Sequence, residues 1–510
     1  MPKYAAIDIG SNSIRLLAAE VLPDGPPVAL VSERQVTRLG ESVFRTGRIS
    51  AEAQETACAV LSRMAAAYKQ LGVAAVRVVA TSAVRDAGNQ QAFLEKAGQA
   101  AEAPVEIISG QEEARLIHLG VQSRWPHPRQ RILIADVGGG SAEVISSDAG
   151  SISYAISKPL GAVRLTEVFL KNDPPLPVEL HRMNEYIEEK LAAGVRRIGT
   201  EGFDRVIATS ASAAATICAV NRVARSKRDA ADRLRATTPQ VRRLFRELSV
   251  RGLEARRKVP GIGPRRAEII LAGVAVFLRV LEEFQRPSMY YSSAGLRDGI
   301  VADLAQRGVG RDLARLDRQQ RKAVEDMARR CGVPLAHARK VAALTQGIFE
   351  SLQPLHKLPA AYGKLLEAAA YLHDVGHFVS DTGHHKHSAY LVANSDMPGF
   401  TVEERLLISM LCRYHRKSLP GPRHDNFQSL GEDHKRAILL LTPLLRLADN
   451  LDRAHEQRVE RLECQLRNGG IVIHIFSSRD TDLEQWAGER AGAAFAEIYK
   501  LPLIVRRGRK

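Results

Sequence analysis

Two glycine-rich segments constrain the fold of this 510-residue chain more than any other feature. The first, IDIGSNSIRL, spans residues 7–16, and the second, ADVGGGSAEV, spans residues 135–144. Each segment leaves an apolar run, turns through small residues and enters another apolar run, which is typical of a strand–turn–strand hairpin. A single hairpin of this kind is usually only a structural turn, but a second copy with an acid at the same place indicates a shared function. Aligned on that acid, the copies match at Asp8 and Asp136, at Gly10 and Gly138 and at Ser13 and Ser141, and they differ at Arg15 and Glu143.

The residue types in the two turns indicate a phosphate and a divalent cation. Glycine lets backbone N–H groups approach a ligand closely, and successive N–H groups form a concavity that binds anions. Carboxylates at the same place would repel a bare anion. Asp136, Glu143 and Asp8 therefore predict a Mg²⁺ ion, with Mn²⁺ as the alternative, between the protein and the phosphate. The phosphate-binding candidates are Gly10, Ser11, Asn12, Ser13, Gly138, Gly139, Gly140 and Ser141.

Two other glycine-rich motifs are excluded. A dinucleotide fingerprint needs a third glycine and a helix after the glycines, whereas both segments run into a strand. A nucleophile elbow requires G-x-S-x-G, which neither segment contains. The repeat therefore favours phosphate chemistry over either of these alternatives.

The composition is that of a folded chain with several domains. The length corresponds to three or four domains, and 45% hydrophobic with 25% charged residues is ordinary for a globular protein. No apolar run approaches the ~20 residues that span a bilayer, so we expect no integral membrane segment. The chain enters a strand at once, which argues against secretion. The five cysteines are scattered without C-x-x-C spacing, which predicts reduced thiols and a cytoplasmic location.

A basic excess characterises the middle of the chain. Lys and Arg number 73 against 57 Asp and Glu, and residues 222–266 alone hold fifteen Lys and Arg against four acids. Such an excess indicates contact with a polyanion, either polyphosphate or nucleic acid, although a solvated helix face is the ordinary interpretation of any single cluster. Within this region VPGIGPRRAEIILAG, residues 259–273, is similar to a DNA-binding helix-hairpin-helix. A nucleic-acid-binding protein is therefore the non-enzymatic alternative.

Hydrophobic periodicity predicts four domains. Residues 1–125 and 126–305 alternate strands and helices, for example a helix near 50–70 and a strand, turn and helix in DRVIATSASAAATICAV. Residues 306–455 are helical by periodicity. Residues 456–510 begin with a hairpin around Asn468-Gly469-Gly470 and continue with one helix in DLEQWAGERAGAAFAEIY and a strand. The predicted fold class is α/β for the first two domains, all-α for the third and a small α/β fold for the last.

The two-hairpin pattern resembles the phosphate loops of the actin, Hsp70 and sugar-kinase superfamily. Four further segments narrow the resemblance to the exopolyphosphatase and guanosine pentaphosphatase (Ppx/GppA) family: ATSAVRDA (80–87), IISGQEEARLIHLGV (107–121), KPLGAVRLTE (158–167) and SAGLRDGI (293–300). The resemblance implies two ribonuclease-H-like domains that hold phosphates between paired hairpins, an HD-like helical domain and a small C-terminal α/β domain. It also implies a homodimer and a connection to the stringent response.

The activity that this resemblance implies is an exopolyphosphatase, which releases terminal orthophosphate from inorganic polyphosphate. Guanosine pentaphosphate is the alternative substrate, cleaved at its 5′-phosphate. The family's Gly-Ser-Gly-Thr segment is replaced here by SASAAA, residues 210–215. In the wider superfamily this place approaches a nucleoside, so the loss of both glycines favours polyphosphate.

The resemblance also assigns residue roles. Hydrolysis of a phosphoanhydride depends mainly on positioning and on charge stabilisation. The catalytic base falls on Glu113, the second acid of the Glu112-Glu113 pair, and phosphate binding falls on Arg85, with Arg15 and Arg164 as weaker candidates. Acids in a first helical turn also complement the helix dipole, which suffices to explain one member of the pair.

A second metal site is predicted in the helical domain. His373 and Asp374 are adjacent on an apolar helix, and the order H…HD…H…H…D resembles HD-superfamily phosphohydrolases, whose metal has nitrogen and oxygen ligands. The predicted ligands are His337, His373, Asp374 and Asp449. The alternative is a hydrogen-bonded remnant in the helical core. His387 and His415 lie between Asp374 and Asp449 in the sequence and complete the pattern.

Overall fold

The computed structural model of the chain describes residues 1–22, 25–307, 314–421, 423–467 and 469–508. Contacts between residues divide the chain into two compact units, residues 1–309 and 310–510. The first unit contains two mixed β-sheets with helices, and the second contains a helical region followed by a small sheet. The two mixed sheets and the helical region agree with the predicted fold class.

Five strands form the first sheet: β1 Lys3–Ile9, β2 Ser13–Glu20, β3 Val28–Val36, β4 Ala75–Ala80 and β5 Val105–Ile107. Their order is β3-β2-β1-β4-β5. Strand β1 pairs antiparallel with β2 and parallel with β4. Its sequence is KYAAIDI, and it is buried from its second residue onward. Such a nearly continuous apolar run is typical of a strand that is covered on both faces.

Six strands form the second sheet: β6 Arg131–Val137, β7 Ala142–Asp148, β8 Ser151–Lys158, β9 Arg205–Thr209, β10 Arg235–Thr237 and β11 Ser288–Tyr291. Their order is β10-β11-β9-β6-β7-β8. Strand β6 pairs antiparallel with β7 and parallel with β9, as β1 does with β2 and β4. Apart from the edge strand β10, the two sheets have the same strand order. The two glycine-rich turns therefore follow equivalent strands.

The helices of the first unit pack on these sheets, and α5 is held closely against α13. A Cβ on Gly120 of α5 would lie 2.1 Å from the carbonyl oxygen of Gly295, so only glycine permits this approach. The helices are α1 Leu39–Thr46, α2 Ala51–Gln70, α3 Ser82–Asp86, α4 Gln90–Ala101, α5 Gly110–Arg124, α6 Ala162–Phe169, α7 Pro177–Ile198, α8 Ala211–Val220, α9 Thr238–Ser249, α10 Leu253–Arg257, α11 Pro264–Ala267, α12 Ile270–Glu283 and α13 Leu296–Arg307.

The second unit is a helical region followed by a three-stranded sheet of order β12-β13-β14. Apolar side chains of both parts form one buried core. The helices of the helical region are α14 Arg318–Arg330, α15 Leu335–Ser351, α16 Gln353–His356, α17 Ala361–Leu372, α18 His384–Asn394, α19 Val402–Tyr414, α20 Asp425–Gln428 and α21 Glu432–Asn450. The C-terminal elements are β12 Arg461–Arg467, β13 Gly470–Phe476, α22 Asp482–Arg490, α23 Gly492–Tyr499 and β14 Leu503–Arg507.

Some local details differ from the expectations. The single helix predicted in the tail is broken at Ala491 into α22 and α23, where Gly488 and Gly492 weaken helix propensity. The predicted hairpin forms from β12 and β13, and its Asn468 lies outside the described residues. The basic stretch 222–266 forms a 3₁₀ helix at Arg225–Ala231, then β10 and α9 to α11. Of the described helices, none is long and apolar enough to cross a membrane.

Candidate functional site

The two glycine-rich turns face each other at the ends of their sheets. A Cβ on Gly139 would lie 3.0 Å from Ser11 Cβ, and one on Gly140 would lie 2.6 Å from the hydroxyl oxygens of Ser11 and Ser82. These distances leave no room for a side chain, so the close approach of the two hairpins requires glycine. The sequence repeat thus becomes a pair of opposed turns.

Backbone hydrogen bonds determine which turn N–H groups remain for an anion. The N–H of Gly10 donates to the Ser13 carbonyl at 3.2 Å, and the N–H of Gly138 donates to the Ser141 carbonyl at 3.0 Å. These two groups close the hairpins. Within the described part of the chain, nothing accepts a hydrogen bond from the N–H groups next in sequence, those of Ser11, Asn12, Gly139 and Gly140.

A cavity of ≈ 370 Å³ lies between the two sheets, and acids from both lie in or beside it. Asp8 of β1, Asp136 of β6 and Glu113 of α5 line it. Glu143 of β7 is the cross-strand neighbour of Asp136, as Arg15 is of Asp8. The structure therefore brings together the three predicted metal ligands and the predicted base.

Burial and mutual repulsion disfavour the charged forms of these acids. Burial raises the pKa of Asp136 to about 7, and burial together with the neighbouring Asp136 raises the pKa of Glu143 to about 8. Burial, and then the charge of Glu143, raise the pKa of Glu113 well above its usual range. Burial also raises the pKa of Asp8, against the lowering effect of Arg15.

The carboxylates fit a divalent cation. The Oε2 atoms of Glu113 and Glu143 are buried, and none of the described residues donates a hydrogen bond to either. Glu143 Oε1 accepts a hydrogen bond from the Ser157 hydroxyl at 2.7 Å. Several buried acids with unsatisfied oxygens are costly unless a positive charge lies among them. Asp136, Glu143 and Asp8 are therefore suited to hold Mg²⁺ or Mn²⁺, which prefer oxygen ligands.

The structure separates the two acids of the Glu112-Glu113 pair. Glu112 accepts hydrogen bonds from Arg115 at 2.7 and 2.8 Å and from Arg77 at 3.3 Å, and both arginines also bind Asp303. All four side chains are buried. Glu112 thus belongs to a structural ion-pair network between β4, α5 and α13. Glu113, one residue later and about 100° around the helix, turns to the cavity.

Six arginines line the same cavity: Arg15, Arg34, Arg124, Arg228, Arg266 and Arg297. Arg15 and Arg34 are direct cross-strand neighbours, an arrangement of like charges that is destabilising by itself. Burial, and then Arg15, lower the pKa of Arg34 to about 9. Burial and the neighbouring arginines also lower the pKa values of Arg266 and Arg297. An anion in the cavity would relieve this repulsion.

A second recess of ≈ 120 Å³ continues this basic surface. It shares Arg34, Arg228 and Arg266 with the cavity and adds Arg225 and Arg265. The sequence could not identify this surface, because its arginines come from three separate elements: β3, the 3₁₀ helix and α11. The composition of residues 222–266 was the only sign of it.

The remaining basic candidates have mostly local contacts. Arg85 donates to the carbonyl of Ile108 at 2.6 Å and lies 3.7 Å from Glu113 Oε2, so it contacts the candidate base. Arg164 donates to the carbonyl of Gly140 at 2.8 Å and forms an ion pair with Asp86. Arg164 therefore supports the second turn.

The segment that is similar to a helix-hairpin-helix is built into the first unit. Gly261 has φ +82°, and a Cβ there would lie 2.5 Å from Cys218 Cβ at the end of α8. Its turn thus packs against a helix, and the following Arg266 lines the cavity. This contact offers an intramolecular reason for the glycine.

The segment that replaces Gly-Ser-Gly-Thr lies at the start of α8. Ser210 has φ +103° and ψ 173°, a conformation that normally requires glycine. Its hydroxyl compensates in part by accepting from the N–H groups of Ser212 and Ala213, at 3.2 Å each. The backbone thus keeps a glycine conformation without a glycine, and Ser210 lines the cavity.

The structure also brings together the four ligands predicted in the helical region. Nε2 of His373 lies 3.5 Å from Asp374 Oδ2 and 3.4 Å from Asp449 Oδ1. Nε2 of His337 lies 4.0 Å from Asp374 Oδ2 and 3.7 Å from Asp449 Oδ1. The sequence pattern was wrong in one respect, since the histidine of α18 that faces Asp374 is His384 and not His387.

Comparison with known proteins matches both units. The model of the Ppx/GppA phosphatase family matches residues 21–308, and that of Ppx/GppA phosphatase domain III matches residues 319–485. A solved structure of an Aquifex aeolicus Ppx/GppA family member is 29% identical, with a TM-score of 0.53, over 61% of this chain and 99% of its own. An exopolyphosphatase-like protein is 29% identical, with a TM-score of 0.56, over 59% of this chain and 97% of its own. An exopolyphosphatase from Cytophaga hutchinsonii is 26% identical, with a TM-score of 0.55, over the same shares.

Proposed function

The chain belongs to the Ppx/GppA phosphatase family, and we propose that it is an exopolyphosphatase. It would hydrolyse the terminal phosphoanhydride of inorganic polyphosphate and release orthophosphate. The observation that carries this proposal is the meeting of acids and arginines in one cavity, where Asp8, Asp136 and Glu113 face Arg15 and Arg34. Acids that hold a divalent cation suit the reacting phosphate, and arginines beyond them suit further phosphates of the same chain.

The second recess supports a linear polyanion over a compact one. Its arginines continue from those of the cavity through Arg34, Arg228 and Arg266. A chain of phosphates carries a negative charge at every unit, so it could contact this surface along its length while its end reaches the carboxylates. A single phosphate would leave most of these guanidinium groups without an anion.

The chain's own residues would act as follows. The free N–H groups of the opposed turns bind the oxygens of the terminal phosphate, and Glu113 orients a water molecule and accepts its proton. The water oxygen forms a bond to phosphorus while the bond to the bridging oxygen breaks, and the shortened polyphosphate leaves with that oxygen. Mg²⁺ or Mn²⁺, when bound to Asp136, Glu143 and Asp8, supplies positive charge that offsets the charge of the phosphates.

The proposal includes the fold and bounds of each domain. We assign both mixed sheets to the ribonuclease-H-like fold, since they share one strand order. We retain domains at residues 1–125, 126–305, 306–455 and 456–510, with the third HD-like. A cytoplasmic homodimer and a connection to the stringent response belong to this proposal.

Two alternatives are separated by experiment. Guanosine pentaphosphate carries a shorter phosphate run and a base, and the altered segment at Ser210 disfavours it. A nucleic-acid-binding protein would use the basic residues 222–266, of which Arg228 and Arg266 face the cavity.

The test is steady-state phosphate release with Mg²⁺ from long-chain polyphosphate and from guanosine pentaphosphate, alongside a DNA-binding assay. We expect the higher kcat/KM for polyphosphate and its loss in Glu113→Gln. Faster hydrolysis of guanosine pentaphosphate would establish the alternative substrate. Tight DNA binding without phosphate release would contradict an enzymatic function.

A further inference from the structure

Ser157 of β8 is the cross-strand neighbour of Glu143 on β7, one of the acids predicted to bind the metal ion. Side chains of neighbouring residues in an antiparallel pair lie on the same face of the sheet. The Ser157 hydroxyl reaches the carboxylate and donates to Glu143 Oε1 at 2.7 Å. Because the Glu143 side chain is fully buried, this donor compensates for part of the hydration that the carboxylate has lost.

The first sheet has a different row of side chains at the equivalent place. In each sheet, three cross-strand neighbours follow from the acid of the glycine-rich hairpin. The rows are Asp136, Glu143 and Ser157 in the second sheet, and Asp8, Arg15 and Arg34 in the first. The first row ends in two positive charges, whereas the second ends in an acid beside a small neutral hydroxyl. The second row thus combines a carboxylate with a group that can orient it.

Ser157 also contacts the start of α5. A Cβ on Gly110, the first residue of this helix, would lie 2.4 Å from Ser157 Cβ and 2.5 Å from its hydroxyl oxygen. These separations are too short for two non-bonded atoms, so the contact requires glycine. The side chain of the next residue, Gln111, donates to the Ala155 carbonyl of β8 at 3.2 Å. The first turn of α5 therefore rests directly on β8.

The same helix carries the candidate base. Gly110 and Glu113 are three residues apart in α5, so they lie at neighbouring positions on one side of the helix. The Ser109 hydroxyl caps the helix by accepting the N–H of Glu112 at 3.2 Å, which fixes the start of its first turn. The contact between β8 and Gly110 therefore helps to determine the position of Glu113.

We propose that Ser157 is a positioning residue that sets the geometry between Glu143 and Glu113. The inference rests on the proposed function, in which Glu143 binds the metal ion and Glu113 orients the water molecule. The hydroxyl of Ser157 orients the Glu143 carboxylate, and its Cβ forms the surface on which α5 rests. One small side chain thus connects the metal-binding acid with the helix that carries the base.

The hydrogen bond uses one oxygen of Glu143 and leaves the other for a cation. Oε1 accepts the Ser157 hydroxyl, whereas none of the described residues donates a hydrogen bond to the buried Oε2. A hydrogen bond to a metal-binding carboxylate fixes its orientation, and its loss typically costs about 10–100-fold in metal affinity or activity. We therefore expect Ser157 to contribute a comparable factor to the affinity of the cavity for a divalent cation.

The first experiment measures Mn²⁺ binding to the full-length protein without polyphosphate. Electron paramagnetic resonance detects free Mn²⁺ during a titration, which gives the number and affinity of the bound ions. The variant Asp136→Asn identifies the cavity site as the class of binding that it loses. Ser157→Ala keeps the Cβ on which α5 rests and removes only the hydroxyl, so it should weaken this class by about 10–100-fold. The control is Ser153→Ala, an exposed serine of the same strand, which should bind Mn²⁺ as the wild type does.

A second pair of variants separates the packing contact from the hydrogen bond. Gly110→Ala places a Cβ against Ser157, so it should lower both the urea midpoint and kcat. Adding Ser157→Gly restores the space, so the double variant should unfold at a higher urea concentration than Gly110→Ala alone. Its Mn²⁺ affinity should stay as low as that of Ser157→Ala, because it lacks the hydroxyl. Wild-type Mn²⁺ affinity in the double variant would contradict the role of the hydrogen bond.

Kinetics with polyphosphate give a further readout that a loss of folding would not produce. In Ser157→Ala, the Mg²⁺ concentration that gives the half-maximal rate should rise by about 10–100-fold. The KM for polyphosphate at saturating Mg²⁺ should stay within about twofold of the wild-type value, because the arginines of the cavity are unchanged. A large rise in this KM with an unchanged Mg²⁺ requirement would contradict the inference.

Failure of this inference and failure of the proposed function give different results. Wild-type Mn²⁺ affinity in folded Ser157→Ala, or the lack of any class of binding that depends on Asp136, overturns the inference whatever the substrate is. A wild-type protein that does not hydrolyse polyphosphate contradicts the proposed function, and the Mn²⁺ titrations then decide the role of Ser157 independently. Circular dichroism checks that each variant is folded.

Discussion

Replacing either member of the Glu112-Glu113 pair by glutamine should separate catalysis from stability. Both changes replace a buried carboxyl group in the first turn of α5 by an amide of nearly the same shape. Glu113→Gln cannot accept a proton from water, so kcat for polyphosphate should fall by ~10²-fold or more. Its folding should be unaffected, because the change removes one of several acids whose charges repel one another in the cavity.

The opposite result is expected for Glu112→Gln. Glu112 accepts two charged hydrogen bonds from Arg115, at 2.7 and 2.8 Å, and two from Arg77, at 3.3 Å each. In the variant an N–H₂ group replaces one accepting oxygen, and the other oxygen is no longer charged. Removing one partner of a buried ion pair costs about 3–5 kcal/mol, and Asp303 compensates only in part. The free energy of unfolding should fall by about this amount, while kcat in the folded fraction stays within about threefold of wild type.

Two measurements decide between these outcomes. Urea unfolding followed by circular dichroism gives the stability of each variant, and phosphate release at saturating Mg²⁺ and polyphosphate gives kcat. If Glu112→Gln loses kcat while Glu113→Gln keeps it, the assignment of the base is wrong. Equal loss of stability in both variants would refute the separation of a structural acid from a cavity acid.

Further changes test other parts of the first unit. The double variant Arg34→Gln, Arg228→Gln should reduce the magnitude of the slope of log K, where K is the association constant for polyphosphate, against log salt concentration by about 1–2. The exposed control Arg243→Gln should leave this slope unchanged. Binding titrations at several salt concentrations measure it. Burial lowers the pKa of His118 to about 4. The free energy of unfolding therefore decreases as pH falls from 6.5 to 4, because the buried imidazole resists the proton that the unfolded chain accepts. His118→Gln should remove up to about 3 kcal/mol of that acid dependence in urea unfolding, and an unchanged pH profile would contradict this. Ser210→Gly should raise the unfolding free energy by about 1 kcal/mol, since relief of the positive φ exceeds the few tenths lost with the cap, and a decrease would refute the strain argument.

The sequence predicted what depends on local pattern. The two hairpins, the helix at residues 51–70, the strand, turn and helix around Ser210 and the helix that carries Glu113 all follow from periodicity and turn residues. Membership of the Ppx/GppA phosphatase family is confirmed, on motifs spread along the chain. The roles of Glu113, Arg85 and the metal ligands stay predictions.

The parts that the sequence could not predict depend on packing between distant segments. Arg34 and Arg297 are separated by most of the first unit, and no periodicity relates them. The sequence likewise could not predict that His384, and not His387, faces Asp374, because both are histidines and they lie about one helical turn apart. The contact between Gly376 and the carbonyl of His384 selects one of them, and it exists only in the folded chain.

The two hairpins differ at one equivalent position, which holds Arg15 in the first and Glu143 in the second. This difference bears on the direction in which a linear substrate binds. Two halves with the same strand order would, with identical residues, present the same charges to a ligand from either side. Here the first hairpin pairs an acid with a base, Asp8 with Arg15, and the second pairs two acids, Asp136 with Glu143. The second hairpin therefore contributes more acidic groups to the cavity than the first does. Inorganic polyphosphate has two identical ends. On the proposed function, the direction in which it enters the cavity would therefore be set by the protein alone, and the difference between Arg15 and Glu143 is one source of that direction.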